Sequence, residues 1–235
     1  MGLDIYVGSF TRYYAGDWEL IAQKAAREMG LTIDVIRTQD TEDTERDPEA
    51  IRPMVIEWRA GLSLSLTDSL AAPLDWREDA ETPYFTDKPA WDCYSDLLLW
   101  AAYAEQPSLT RPFQTVEDFG EDPAYQRSTA VGFETDYLHL LNTECWLPCE
   151  FDFVFRSHRL DGASTQFGSS ISLAAELDAL NARTWRADRE TISAWRSEGS
   201  EHGAPLESGA RFAFSVLRDL ARESIEHKLP MLLDY

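Results

Sequence analysis

Twenty-five of the chain's 42 acidic residues fall between Asp40 and Asp152, a stretch that holds only seven basic ones. Carboxylates are almost never buried without a partner. This stretch must therefore fold with most of its side chains on the exterior, and a shared anionic patch is expected. The flanks are close to neutral, with five acids and four bases in residues 1–39 and twelve acids and ten bases in residues 153–235. An uneven field of this kind repels nucleic acid and anionic lipid and attracts cations. The expected partner is a basic protein, with nucleic acid and membrane excluded.

At 235 residues, 44% of them apolar, the chain can bury a substantial core. No linker or repeat divides it, so one domain spanning 1–235 is expected. The opening Met1-Gly2-Leu3-Asp4 has neither the basic region nor the long apolar run of a secretory signal. The longest apolar run, Leu97 to Ala104, is too short to cross a bilayer. Cys93, Cys145 and Cys149 are an odd number of thiols, read as reduced in a cytoplasm.

Periodicity sketches an α+β fold: a small mixed or antiparallel sheet with a helix-rich C-terminal half. Leu3 to Val7 reads as a strand and Thr11 to Gly16 as a loop. Asp17 reads as the N-cap of a helix that ends at Gly30, and Leu31 to Arg37 as a second strand. The chain thus starts strand–helix–strand. Asp47-Pro48 marks a helix to about Ala60, although Pro53 lies inside it. Leu62, Leu64 and Leu66 alternate with Ser63, Ser65 and Thr67 and predict a half-buried strand, as do Phe151, Phe153 and Phe155. Trp91 to Glu105 suits a core helix. Residues 170–228 predict three helices, on Leu173–Leu180, on Ile192 and Trp195, and from Leu206 to Lys228. The apolar terminus Leu229 to Leu233 is expected to pack on the core.

Two loops are dense in side chains that make good contacts. Arg12, Tyr13, Tyr14 and Trp18 surround Asp17, and Tyr84 and Trp91 accompany Asp87 and Asp92. Arginine forks carboxylates and aromatic faces give rigid contact area, so Arg12, Tyr13, Tyr14, Trp18, Tyr84 and Trp91 are candidate ligand or partner contacts. Asp17, Asp87 and Asp92 are the candidate catalytic acids or bases. The alternative for the first loop is a strand-to-helix turn capped by Asp17 with Trp18 in the core. For the second it is a loop entering a core helix.

Cys145 and Cys149 have three residues between them, with His139 and His158 on either side. The four make a conceivable zinc set, but the histidine spacings match no finger or ribbon, so plain buried cysteines are the main expectation. The sequence contains no Gly-x-Ser-x-Gly elbow, phosphate loop or dinucleotide fingerprint, and no cofactor is expected.

Three segments carry a resemblance. Met1-Gly2-Leu3-Asp4-Ile5-Tyr6, Pro83-Tyr84-Phe85-Thr86-Asp87-Lys88-Pro89 and Leu229-Pro230-Met231-Leu232-Leu233-Asp234-Tyr235 are similar to segments of a group of uncharacterised bacterial cytosolic proteins that begin MGLD-[IV]-Y. The resemblance runs from end to end and implies no particular reaction. In charge and size the chain also resembles immunity proteins. The leading expectation is an acidic cytosolic binding protein, an immunity or antitoxin-type inhibitor. The alternatives are a small-molecule hydrolase that uses the 12–18 and 84–94 loops, and a module whose charge serves only solubility.

Overall fold

The computed structural model describes residues 3–31, 47–79, 81–201 and 203–234. Six strands form one sheet: β1 (Asp4–Val7), β2 (Phe85–Asp87), β3 (Cys145–Leu147), β4 (Phe155–His158), β5 (Ser164–Ser169) and β6 (Met231–Asp234). Their spatial order is β2-β1-β6-β3-β5-β4. The sheet is mixed, because β3 and β5 run parallel and the other neighbours antiparallel.

The central strands are apolar on both faces, and two cores result. Leu3, Ile5, Val7, Trp146, Met231 and Leu233 point to one. Tyr6, Cys145, Leu147, Phe167 and Leu232 point to the other. The first face is covered by α4 (Trp91–Glu105), α7 (Ser170–Arg183), α8 (Arg189–Glu198) and α9 (Leu206–His227). The second is covered by α1 (Phe10–Ala15) and α3 (Pro48–Ser65). The remaining helices are α2 (Ile21–Glu28), α5 (Pro123–Ser128) and α6 (Leu138–Leu141). The fold is α+β with a helical C-terminal half, as the periodicity implies. Among the described residues no helix is long and apolar enough to cross a membrane.

The structure departs from the sequence reading where short elements depend on distant partners. Phe10 to Ala15 is a helix and not a loop. Ser9 Oγ accepts from Arg12 N, Gly16 closes the C-terminal end at φ 74°, and Glu78 accepts from Phe10 N and Thr11 N. Asp17 is therefore not an N-cap. It lies exposed between α1 and α2, which begins only at Ile21. The second strand expected from Leu31 falls, from residue 32 onward, outside the described residues.

The expected strand at Leu62–Leu66 is the end of α3. Asp47 caps that helix through Glu49 N with Pro48 in its first turn. Ile51, Val55, Trp58 and Leu62 then recur at helical spacing and face the core, whereas Leu64 is 77% exposed. Three alternations are too few to outweigh a helix already propagating from Pro48.

The expected strand at Phe151–Phe155 begins only at Phe155. The β4–β5 ladder ends at Phe155 opposite Phe167, and two residues further on β5 passes into α7 at Ser170. Serine hydroxyls at the start of α7 take the carbonyls of Cys149 and Phe151 instead. The apolar terminus does more than pack on the core: β6 is a central strand between β1 and β3.

Candidate functional site

The first loop and half of the second converge. Tyr6 is at the centre, with ring centroids 4.8 Å from Trp18, 5.3 Å from Tyr13 and 6.3 Å from Tyr84. Tyr13 stacks on Trp18 at 5.6 Å and meets Tyr14 edge-on at 5.2 Å. Arg12 lies over the Tyr84 ring at 5.2 Å, donates from Nη1 to Thr82 O at 2.6 Å, and pairs with Asp17 at 3.5 Å. Lys24 covers Tyr84 at 4.8 Å. Arg12, Tyr13, Tyr14, Trp18 and Tyr84 thus stand together and tie α1 to residues 82–84. The tyrosine hydroxyls are poor acids here. Burial raises the pKa of Tyr6, Tyr13 and Tyr14, and the Asp234 carboxylate, 2.6 Å from Tyr13 Oη, raises Tyr13 further.

The candidate acids do not share this site. Side chains alternate along β2, so Tyr84 packs toward the core of α1 and α3, and Phe85 toward the core of α4 and α9. Asp87 shares the Phe85 face and pairs with Arg196 of α8. Asp92 lies in the first turn of α4, and Trp91, 40% exposed, packs on Tyr94. The sheet therefore separates Asp17 from Asp87 and Asp92. Carboxylate pairs used for acid–base chemistry need to face one substrate; these three do not.

The cysteine–histidine set is dispersed as well. Cys145 is buried in β3, and Cys149 Sγ donates to Asp75 O at 3.3 Å. Burial pushes both thiols up, away from the thiolate that binds metal. His139 Nδ1 accepts from Ser169 N at 2.9 Å, and burial lowers its pKa to about 4. His158 is exposed on the edge strand β4. Among the described residues no three His, Cys, Asp or Glu side chains are grouped to hold a metal ion.

The carboxylates divide into two populations. Some are built into the fold. Glu78 caps α1 and accepts from Trp76 Nε1 at 2.6 Å. Asp122 caps α5 and accepts from Tyr103 Oη at 3.0 Å. Glu176 accepts from His139 N and Leu140 N, and Asp96 is buried between α4 and α9. The sequence offered a signal for one of these, since Asp122-Pro123 repeats the Asp47-Pro48 pattern. Glu78, Asp96 and Glu176 carried none.

The second population is exposed. Glu49, Glu57, Asp68, Asp75, Glu81, Glu117, Asp118, Glu121, Glu134, Glu150 and Asp152 all lie at the surface. They are carried by both layers: Glu49 and Glu57 by α3 on one side of the sheet, and Glu117 to Glu121 beside α4 and α5 on the other. The single patch expected from the charge block is therefore two-sided. It is also little neutralised by the last third of the chain. Of that segment's arginines, Arg183 bridges Asp136 and Arg196 bridges Asp87, while Arg159, Arg211, Arg218 and Arg222 pair within their own third.

Fold and surface together define an acidic α+β protein, most of whose described central carboxylates stay in solvent. The family model described as "Putative DNA-mimic protein" matches residues 1–233, and the chain belongs to that family. No curated protein and no solved structure shows significant similarity to the chain. The membership corrects the exclusion of nucleic acid, because in a family described as DNA mimics nucleic acid is the molecule imitated; a basic protein partner fits the family loosely. The error has a physical origin. A strongly negative surface repels DNA itself, but that argument does not cover a surface that imitates DNA.

Proposed function

We propose that the protein is a decoy for duplex DNA that occupies the DNA-binding face of a protein acting on DNA, and thereby inhibits it. The observation that carries this reading is the family match over residues 1–233. The surface supports it. Duplex DNA presents about one negative charge per 1.7 Å around a cylinder, and exposed carboxylates on both layers suit that better than one flat patch would. A net charge of −21 also speeds encounter with the Lys- and Arg-rich faces that hold phosphates. In its narrowest form the decoy is an immunity or antitoxin-type inhibitor of a DNA-acting toxin in a bacterial cytoplasm. Charge and size support that form, and the resemblance to bacterial cytosolic proteins supports the setting.

The test is capture followed by displacement. The full chain is immobilised, exposed to host lysate and washed with increasing concentrations of a duplex oligonucleotide. Proteins released by duplex should bind labelled duplex on their own, and free chain should compete them off it, less well as salt rises. If duplex releases nothing, or the released proteins do not bind DNA, the decoy reading is wrong.

A further inference from the structure

A cleft of about 510 Å³ opens between the end of α4, the segment that follows it and the end of α7. That volume suits a small ligand. Trp100, Tyr103, Pro107 and Leu109 are among the residues that line it, and Arg111 and Arg183 bring two guanidinium groups to it. None of the residues in the cluster around Tyr6 takes part.

Arg111 is the distinctive member. Its guanidinium carbon lies 3.5 Å from the centroid of the Trp100 ring, and Trp100 stacks in turn on Trp185 at 5.1 Å with planes 12° apart. Arg111 Nε is buried without an acceptor, as is Trp100 Nε1. Among the described residues no carboxylate lies within ion-pair distance of Arg111, in a chain with twice as many acids as bases. The carboxylate that acts on it, Glu207, is held by Arg211 and by Trp185 Nε1. Arg183 is positioned by its 2.9 Å bridge to Asp136.

A half-buried cation with no carboxylate in direct contact is costly, and an arriving anion recovers part of that cost. Indole stacking satisfies only the face of the guanidinium. Its N–H donors lie in the plane and remain available for a forked bond to a carboxylate or phosphate. Burial also lowers the Arg111 pKa, which marks the same desolvation. We infer that this cleft binds a small aromatic anion, with the ring against Tyr103, Pro107 and Leu109 and the anionic group on Arg111, assisted by Arg183. The surface carboxylates play no part in it, so this site and the decoy reading stand or fall separately.

The test uses naphthoate and its neutral isostere naphthamide as probes, titrated calorimetrically into the full chain. Naphthoate should bind about tenfold or more tightly than naphthamide. Arg111→Gln should erase that preference and Arg111→Lys retain part of it, whereas Arg127→Gln, at an exposed position elsewhere, should leave it intact. Nitrogen-edited NMR of the unaltered protein locates the site even if the Arg111 variants misfold: the indole N–H signals of Trp100 and Trp185 should shift together with added naphthoate. Equal affinity for the two probes, no saturation at millimolar naphthoate, or shifts confined to other tryptophans would overturn the inference.

Discussion

Asp96 and Gly209 show how one carboxylate becomes structural once two helices close on it. A Cβ on Gly209 would lie 2.2 Å from Asp96 Oδ2, the oxygen that also accepts from Thr115 Oγ1 at 2.9 Å. Glycine-to-alanine inside a helix ordinarily stabilises by about 1 kcal/mol. Here Gly209→Ala should instead destabilise by roughly 1–3 kcal/mol through overpacking, and Asp96→Ala in the same chain should relieve it, as read by denaturant unfolding. Burial raises the Asp96 pKa to about 7. The folded state then holds its proton more tightly than the unfolded state. The resulting stability is fully present below the usual carboxylate range and is lost as pH rises toward 7. Glu176, also raised to about 7 by burial, adds to this trend, and His139, lowered to about 4, opposes it. The difference between wild type and Asp96→Asn isolates the Asp96 share: from pH 4.5 to 7.5 the variant should lose less stability, by an amount on the order of a few kcal/mol. Parallel curves would contradict the buried placement.

Among the elements, α3 and α1 are the informative pair. Helix and strand readings of residues 62–66 differ in one measurable way. On a strand Leu62 and Leu64 share a face; on α3 Leu62 is buried and Leu64 exposed. Leu62→Ala should cost roughly 2–5 kcal/mol and Leu64→Ala less than about 0.5 kcal/mol. Equal costs would restore the strand. Helix α1 has only six residues, too few to hold without help. Glu78 satisfies two of its first N–H groups from 67 and 68 residues away. Glu78→Ala strands both, and Trp76 Nε1 with them, and should destabilise by roughly 3 kcal/mol. Neighbouring Glu81→Ala, at the surface, should be near neutral. Chemical denaturation of both variants checks the contrast between a structural acid and a solvated one.

On the scale of the whole molecule, the proposed decoy role makes the surface charge the property to test. Exposed carboxylates without cation partners contribute little to folding, and their mutual repulsion opposes it. Converting Glu49, Glu57, Glu117 and Glu121 together to glutamine should leave the melting temperature unchanged or raise it. The same change should weaken capture of duplex-releasable proteins several-fold and flatten its salt dependence. A lower melting temperature with undiminished capture would detach the surface charge from function.

Local pattern alone was enough to recover the C-terminal helices, the core helix at Trp91–Glu105 and the start of α3, because an apolar pattern over ten or more residues leaves few alternatives, and strand formers were enough for Asp4–Val7. It also carried the excess of surface acid, since carboxylates resist burial. Tertiary structure alone decided which other acids are not surface: Glu78, Asp96 and Glu176 are set by donors that lie 19 to 68 residues away. It also decided the short strands β2, β3 and β6, whose ladders pair the two ends of the chain. Such elements are too brief to be stable alone, so their residues acquire a conformation only when the sheet that contains them closes.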